Sequence, residues 1–105
     1  MNKDALYRIT RRVYRSLKDP NFIIKLRRMK DCQGKIDPET LEISLTPDCQ
    51  LIPTIIHEVI HSMNMLMEEK HVLALEREVM AQLSHKQMAN IVVATGLALQ
   101  RDLLK

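Results

Sequence analysis

Three aromatic residues, two Tyr and one Phe with no Trp, are all that this 105-residue chain contains. Its 46% hydrophobic fraction therefore rests on aliphatic side chains and seven Met, and the length suits one domain around one modest core. Nowhere do apolar residues run on long enough to span a bilayer, which argues against a membrane-spanning protein. The start, Met1-Asn2-Lys3-Asp4, carries an acid and no apolar stretch, unlike a secretory leader; a cytoplasmic location is expected. Internal repeats, low-complexity tracts and linkers are also missing, so residues 1–105 read as a single domain. Cys32 and Cys49 stand at no metal-binding spacing and read as reduced structural thiols.

The charge balance is mild, with a formal net charge of +3. It is concentrated in Arg8, Arg11, Arg12, Arg15 and Lys18, then Lys25, Arg27, Arg28 and Lys30. A nucleic-acid module would start from such clusters. No stacking aromatics interleave with them, which weakens single-strand binding and favours a solvated face.

From Asp4 to Lys18, the residues Ala5, Leu6, Ile9, Val13 and Leu17 recur at helical spacing opposite the arginines, predicting an amphipathic helix. Asp19-Pro20-Asn21 ends it. Phe22, Ile24 and Leu26 alternate within a predicted strand over Phe22–Lys30. Gly34–Asp37 and Leu41–Leu45 read as two short strands joined by the turn Asp37-Pro38-Glu39-Thr40. Pro53 fits the first turn of a helix running to about Met67. Further helices are expected over His71–Leu83 and Lys86–Leu104. The fold class is α+β: an N-terminal helix, a small three-stranded, mainly antiparallel sheet, then a run of helices.

The middle helix carries His57-Glu58-Val59-Ile60-His61. One helical turn separates the two histidines, so both imidazoles leave the same face and can share a tetrahedral metal. Glu58 lies about 100° around from His57, the offset of a carboxylate that meets the attacking water without ligating the metal. Ile55, Ile56, Val59, Ile60, Met63, Leu66 and Met67 project as one broad apolar stripe, with His57, His61 and Asn64 on the other side. Chance produces so short a pattern in many sequences, but here it falls on a predicted helix in the required orientation. A zinc site with Glu58 as general base is the reading that follows.

Two histidines leave a catalytic zinc short of a ligand. Asn64 and Met67 stand where a metzincin would need Gly and His, which removes that class. Glu68, Glu69, Glu76 and Glu78 are the candidates for a His₂Glu set. The first two lie close behind the motif helix, which argues against their swinging back. Val72, Leu75, Val79 and Leu83 define an inward stripe; Glu76 borders it, whereas Glu78 lies about 160° away. A carboxylate at an apolar edge is costly unless paired or metal-bound, so the expected metal ligands are His57, His61 and Glu76.

Leu41-Glu42-Ile43-Ser44-Leu45, then Ile52-Pro53-Thr54-Ile55-Ile56 leading into the motif, then Val72-Leu73-Ala74-Leu75-Glu76-Arg77, resemble in order the elements of a minigluzincin, a small latent gluzincin-type zinc peptidase. The resemblance implies zinc held by His57, His61 and a residue of a "glutamate helix", here Glu76. It also implies an edge strand, Leu41–Leu45, along which an extended substrate adds. The Asp that many gluzincins place four residues after the ligand glutamate is here Met80, so the partner that orients a zinc histidine must come from elsewhere. The expected activity is zinc-dependent peptide hydrolysis, the alternatives being a catalytically silent zinc-binding scaffold or a basic nucleic-acid module. His71, His85 and Tyr14 are the available transition-state donors, and nothing in the sequence chooses among them. Met88, Val92, Leu99 and Leu103 fall on one side of the last helix and Val93, Leu97 and Leu104 on the other. The second stripe asks for a partner, and the latent character implied by the resemblance favours a homodimer contact or a tail folded over the site.

Overall fold

The computed structural model describes residues 3–30, 33–37, 39–40, 42–46 and 50–104. Along the chain run α1 (Lys3–Lys18), β1 (Ile24–Leu26), β2 (Gly34–Ile36), β3 (Ile43–Leu45), α2 (Leu51–Met63), α3 (Glu69–Gln82) and α4 (His85–Leu103). This is the expected α+β order.

The helices form where the apolar period is 3.6. Ile9, Val13 and Leu17 bury one face of α1, while Arg8, Arg11, Arg12 and Arg15 stay in water. Ser84 caps α4 in a reciprocal box: its hydroxyl accepts from the Gln87 N–H at 3.1 Å, and the Gln87 side chain accepts from the Ser84 N–H at 2.8 Å. Between strands, Asp37 Oδ1 accepts from the Glu39 N–H at 2.8 Å and holds the predicted turn; Pro38 and Leu41 lie outside the described residues.

The sheet order is β1-β3-β2, with β1 parallel and β2 antiparallel to β3. It is therefore mixed, not mainly antiparallel. The strand over Leu41–Leu45, implied as an edge, is the central one. Apolar alternation dictates which face is buried and is silent on neighbours and direction. The Ile43 N–H donates to Ile23 O at 2.9 Å and the Arg27 N–H to Leu45 O at 2.8 Å, which occupies the side of β3 that a substrate would have needed. Ile24, Ile36, Ile43 and Leu45 face the helices, and Lys25, Ser44 and Lys35 form the outer row. The strand predicted from Phe22 to Lys30 pairs only over Ile24–Leu26, and Leu26 is exposed.

Gly34 falls on the inner face, in register with Leu45. A Cβ there would lie 2.5 Å from Thr54 Cγ2 and 3.5 Å from Glu58 Cγ, so the missing side chain is what lets β2 press against α2. Thr54 is β-branched and buried in a helix, with little freedom to move aside.

Helix α2 stops at Met63, four residues earlier than its apolar pattern suggests. Asn64 turns extended, and its side chain accepts from the Leu66 N–H at 3.1 Å, an Asx turn that competes with the helix. Leu66 consequently stands in solvent and does not extend the buried stripe.

The buried face of α4 is Ile91, Thr95 and Ala98, a line between the two projected stripes. A threonine and an alanine hid it. The helix packs on α1, β1 and α2. Near its end, the Arg101 guanidinium donates to the carbonyls of Leu17 at 2.9 Å, Asp19 at 3.3 Å and Lys18 at 3.4 Å, capping the C-terminus of α1.

Two stability measurements follow. Arg101→Ala is expected to cost about 1–2 kcal/mol in urea unfolding, through lost carbonyl partners and dipole neutralisation. Gly34→Ala should cost about 1–3 kcal/mol, as overpacking against a stiff neighbour does; an unchanged midpoint would show that β2 can retreat freely.

Candidate metal centre

Helix α2 is buried along Ile55, Ile56, Val59 and Ile60, which fixes its rotation and sends His57 and His61 out on one side. Their ring centroids are 4.9 Å apart, edge to face. The Asx turn after Met63 then brings α3 back, with Glu69 as its first residue. Glu69 Oε1 lies 2.7 Å from His57 Nε2, and Glu69 Oε2 lies 2.9 Å from His61 Nε2. One donor atom from each of the three residues can be chosen so that all lie within 4.8 Å of one another.

Glu69 is the residue that sequence reasoning set aside. Continuing α2 to Met67 would have left Glu69 too little chain to turn back, whereas the shorter helix makes it the opening residue of the next one. The signal that could have found it is Asn64, whose side chain favours turns over helix interiors.

Glu76 reaches the same histidine from the opposite side, its Oε1 2.9 Å from His57 Nδ1. Its side chain is 19% exposed, against 60% for that of Glu69. Val72, Val79 and Leu83 are buried as expected, and Glu78 lies exposed on the outer side of α3. Both ring nitrogens of His57 thus face carboxylates. A neutral imidazole has one N–H and satisfies only one of them. A cation shared by His57 Nε2, His61 Nε2 and Glu69 would leave the Nδ1 N–H for Glu76, as a second N–H on the ring would leave one for each carboxylate. The donor set of two imidazoles and a carboxylate suits a divalent metal, and a carboxylate on the far nitrogen of a ligand histidine is the usual orienting partner. Met80, where the resemblance would have had an orienting carboxylate, packs against the core.

Glu58 is buried beneath this cluster, next to Gly34. Burial pushes its carboxyl above the ordinary carboxylate range; His57 and His61 pull it back and Glu69 pushes it further up. A cleft of about 260 Å³ opens over Glu58, His57 and Thr54, between Gln33 and Gly34 on one side and Leu73 and Glu76 on the other. Larger grooves exist along α1 and α4, but they hold none of these groups. Tyr14, His71 and His85 do not line the cleft. No described residue of α4 lines it either. Cys32 and Cys49 lie outside the described residues.

Metal titration separates the two carboxylates. Glu69→Ala is expected to weaken Zn²⁺ binding by more than Glu76→Ala, which should cost about 10–100-fold as an orienting partner does. The reverse order, with metal lost from the Glu76 variant and kept by the Glu69 variant, would return the third-ligand role to Glu76.

No family model, curated protein or solved structure matches this chain.

Proposed function

We propose that this chain is a zinc-dependent metallopeptidase of the minigluzincin kind, with His57, His61 and Glu69 holding the metal, Glu76 orienting His57 and Glu58 acting as general base. The observation that carries the reading is the buried Glu58 carboxyl, lying against the pair of histidines whose Nε2 atoms converge on Glu69. Zinc bound there would polarise a scissile carbonyl and make water acidic enough to lose a proton near neutral pH.

The chain's own residues account for the rest. Glu58, raised in pKa by burial, is suited to take a proton from water and return it to the leaving amine. The metal-proximal histidine is held in one orientation by Glu76. β2 is an edge strand, and Gly34 at its start borders the cleft. An extended peptide can add there, replacing the role that the resemblance gave to β3. Leu73 offers the opposite wall an apolar surface for one substrate side chain.

Glu58→Gln tests the role directly. The variant should keep its metal and fold while losing about 10²–10⁴ in peptide hydrolysis; a variant that loses its zinc would contradict a non-ligand role. A second readout needs no activity. Because the folded protein favours neutral Glu58, ionising it costs stability once pH rises above the usual carboxylate value of about 4.3, and the cost levels off above the raised pKa. In EDTA, Glu58→Gln should therefore melt higher than wild type at pH 7, with the gap closing as pH falls to about 4. An equal or lower melting temperature at pH 7 would show that the carboxylate is not strained by burial.

A further inference from the structure

Away from the metal cluster, α1 and α4 lie side by side and leave two grooves along their seam, of about 510 and 430 Å³. Tyr14 lines both, and its hydroxyl donates across the seam to Gln87 O at 3.2 Å. Adjoining at Tyr14, the two grooves together make up a trough along α1. Its length is set by α1, whose 16 residues rise about 24 Å.

The trough is chemically one-sided. Its rims carry Lys3, Arg11, Lys18 and Arg101, and no carboxylate lines either groove among the described residues. Among the described residues none of the four cations has an ion-pair partner; Arg11 rests on the Tyr7 ring, 5.9 Å from its centroid, and Arg101 is spent on backbone carbonyls. The floor and inner wall are apolar, from Leu6 and Leu17 to Val93 and Leu97. Val93 and Leu97 are 62% and 56% exposed. From Met88 to Gln100 the helix α4 carries no charged residue, although half of it faces water. A surface helix with no interface of its own would place charges there.

We propose that this seam is a docking site for an acidic amphipathic helix of a protein partner, which would lie along α1 and α4 as a third helix with its apolar face on Val93 and Leu97 and its carboxylates against Lys3, Arg11 and Lys18. A groove with an apolar floor suits the curved apolar face of a helix and not the flat face of a bilayer, which calls for a protruding apolar surface. A nucleic acid would follow the cations that point outward from α1, Arg8, Arg12 and Arg15, and gains nothing from an apolar floor. The proposal does not depend on the metal site, since no residue is shared between the trough and the cleft.

The test uses the full chain and a fluorescein-labelled peptide of about 18 residues, long enough for the trough, with Leu at helical i, i+3, i+4, i+7 spacing and Glu elsewhere. Saturable binding is expected, weakening as salt rises. Leu97→Asp and the pair Arg11→Glu with Lys18→Glu should each weaken it by about tenfold or more, while Arg8→Glu with Arg12→Glu should change it little. All these positions are exposed, and circular dichroism melts of each variant verify the fold. A peptide with Lys in place of Glu should fail to bind. No binding of the acidic peptide would overturn the proposal, and so would equal losses from the seam and off-seam charge reversals. Tighter capture by phosphatidylglycerol vesicles or by a duplex oligonucleotide, lost equally in both charge-reversed pairs, would assign the surface to membrane or nucleic acid instead.

Discussion

The burial of Glu58 depends on how closely β2 sits on α2. At Gly34 the strand backbone approaches the helix to a distance that no side chain would permit, with Thr54 and Glu58 directly beneath it. That contact buries Glu58 while leaving its neighbours His57 and His61 able to turn outward. A carboxyl so placed is desolvated by the fold itself, and the strand that buries it is an edge strand that borders the cleft. Protein packing thus sets the protonation tendency of one group and the approach of another molecule through a single close contact.

The cluster also shows how two carboxylates on one helix divide their work by height. Glu69 and Glu76 are both on α3, two turns apart, and each reaches a different nitrogen of His57. The lower exposure of Glu76 suits a fixed partner, whereas Glu69, at the helix start and largely in water, can adjust its side chain. Such an arrangement sets a half-buried carboxylate on one side of the imidazole and an exposed, adjustable one on the other.

Much of this was legible in the sequence. His57, Glu58 and His61 fall on one helix because Ile55, Ile56, Val59 and Ile60 leave only one rotation that buries them. Glu76 was legible as a carboxylate at an apolar edge. What escaped were features set by a single polar side chain or by tertiary neighbours. Asn64 ended α2 early, and that brought Glu69 into reach. Strand order escaped because Ile24, Ile36 and Ile43 alternate equally well whichever strand lies between the others. The inner face of α4 escaped because Thr95 and Ala98 carry little hydrophobic signal, although their burial is complete or nearly so.

The Arg101 cap joins the last helix to the end of the first, across more than eighty residues of sequence. With α4 also packed against β1, the first third of the chain completes its contacts only when the last fifth is present, although α2, α3 and β3 meet it earlier. During synthesis, the face of α1 that carries Ile9, Val13 and Leu17 therefore stays partly uncovered until α4 arrives. Closure of so long a loop is slow compared with local helix formation. For a chain made from its N-terminus, this places the completion of the core after translation of α4, with an exposed apolar helix face for a chaperone to hold in the interval.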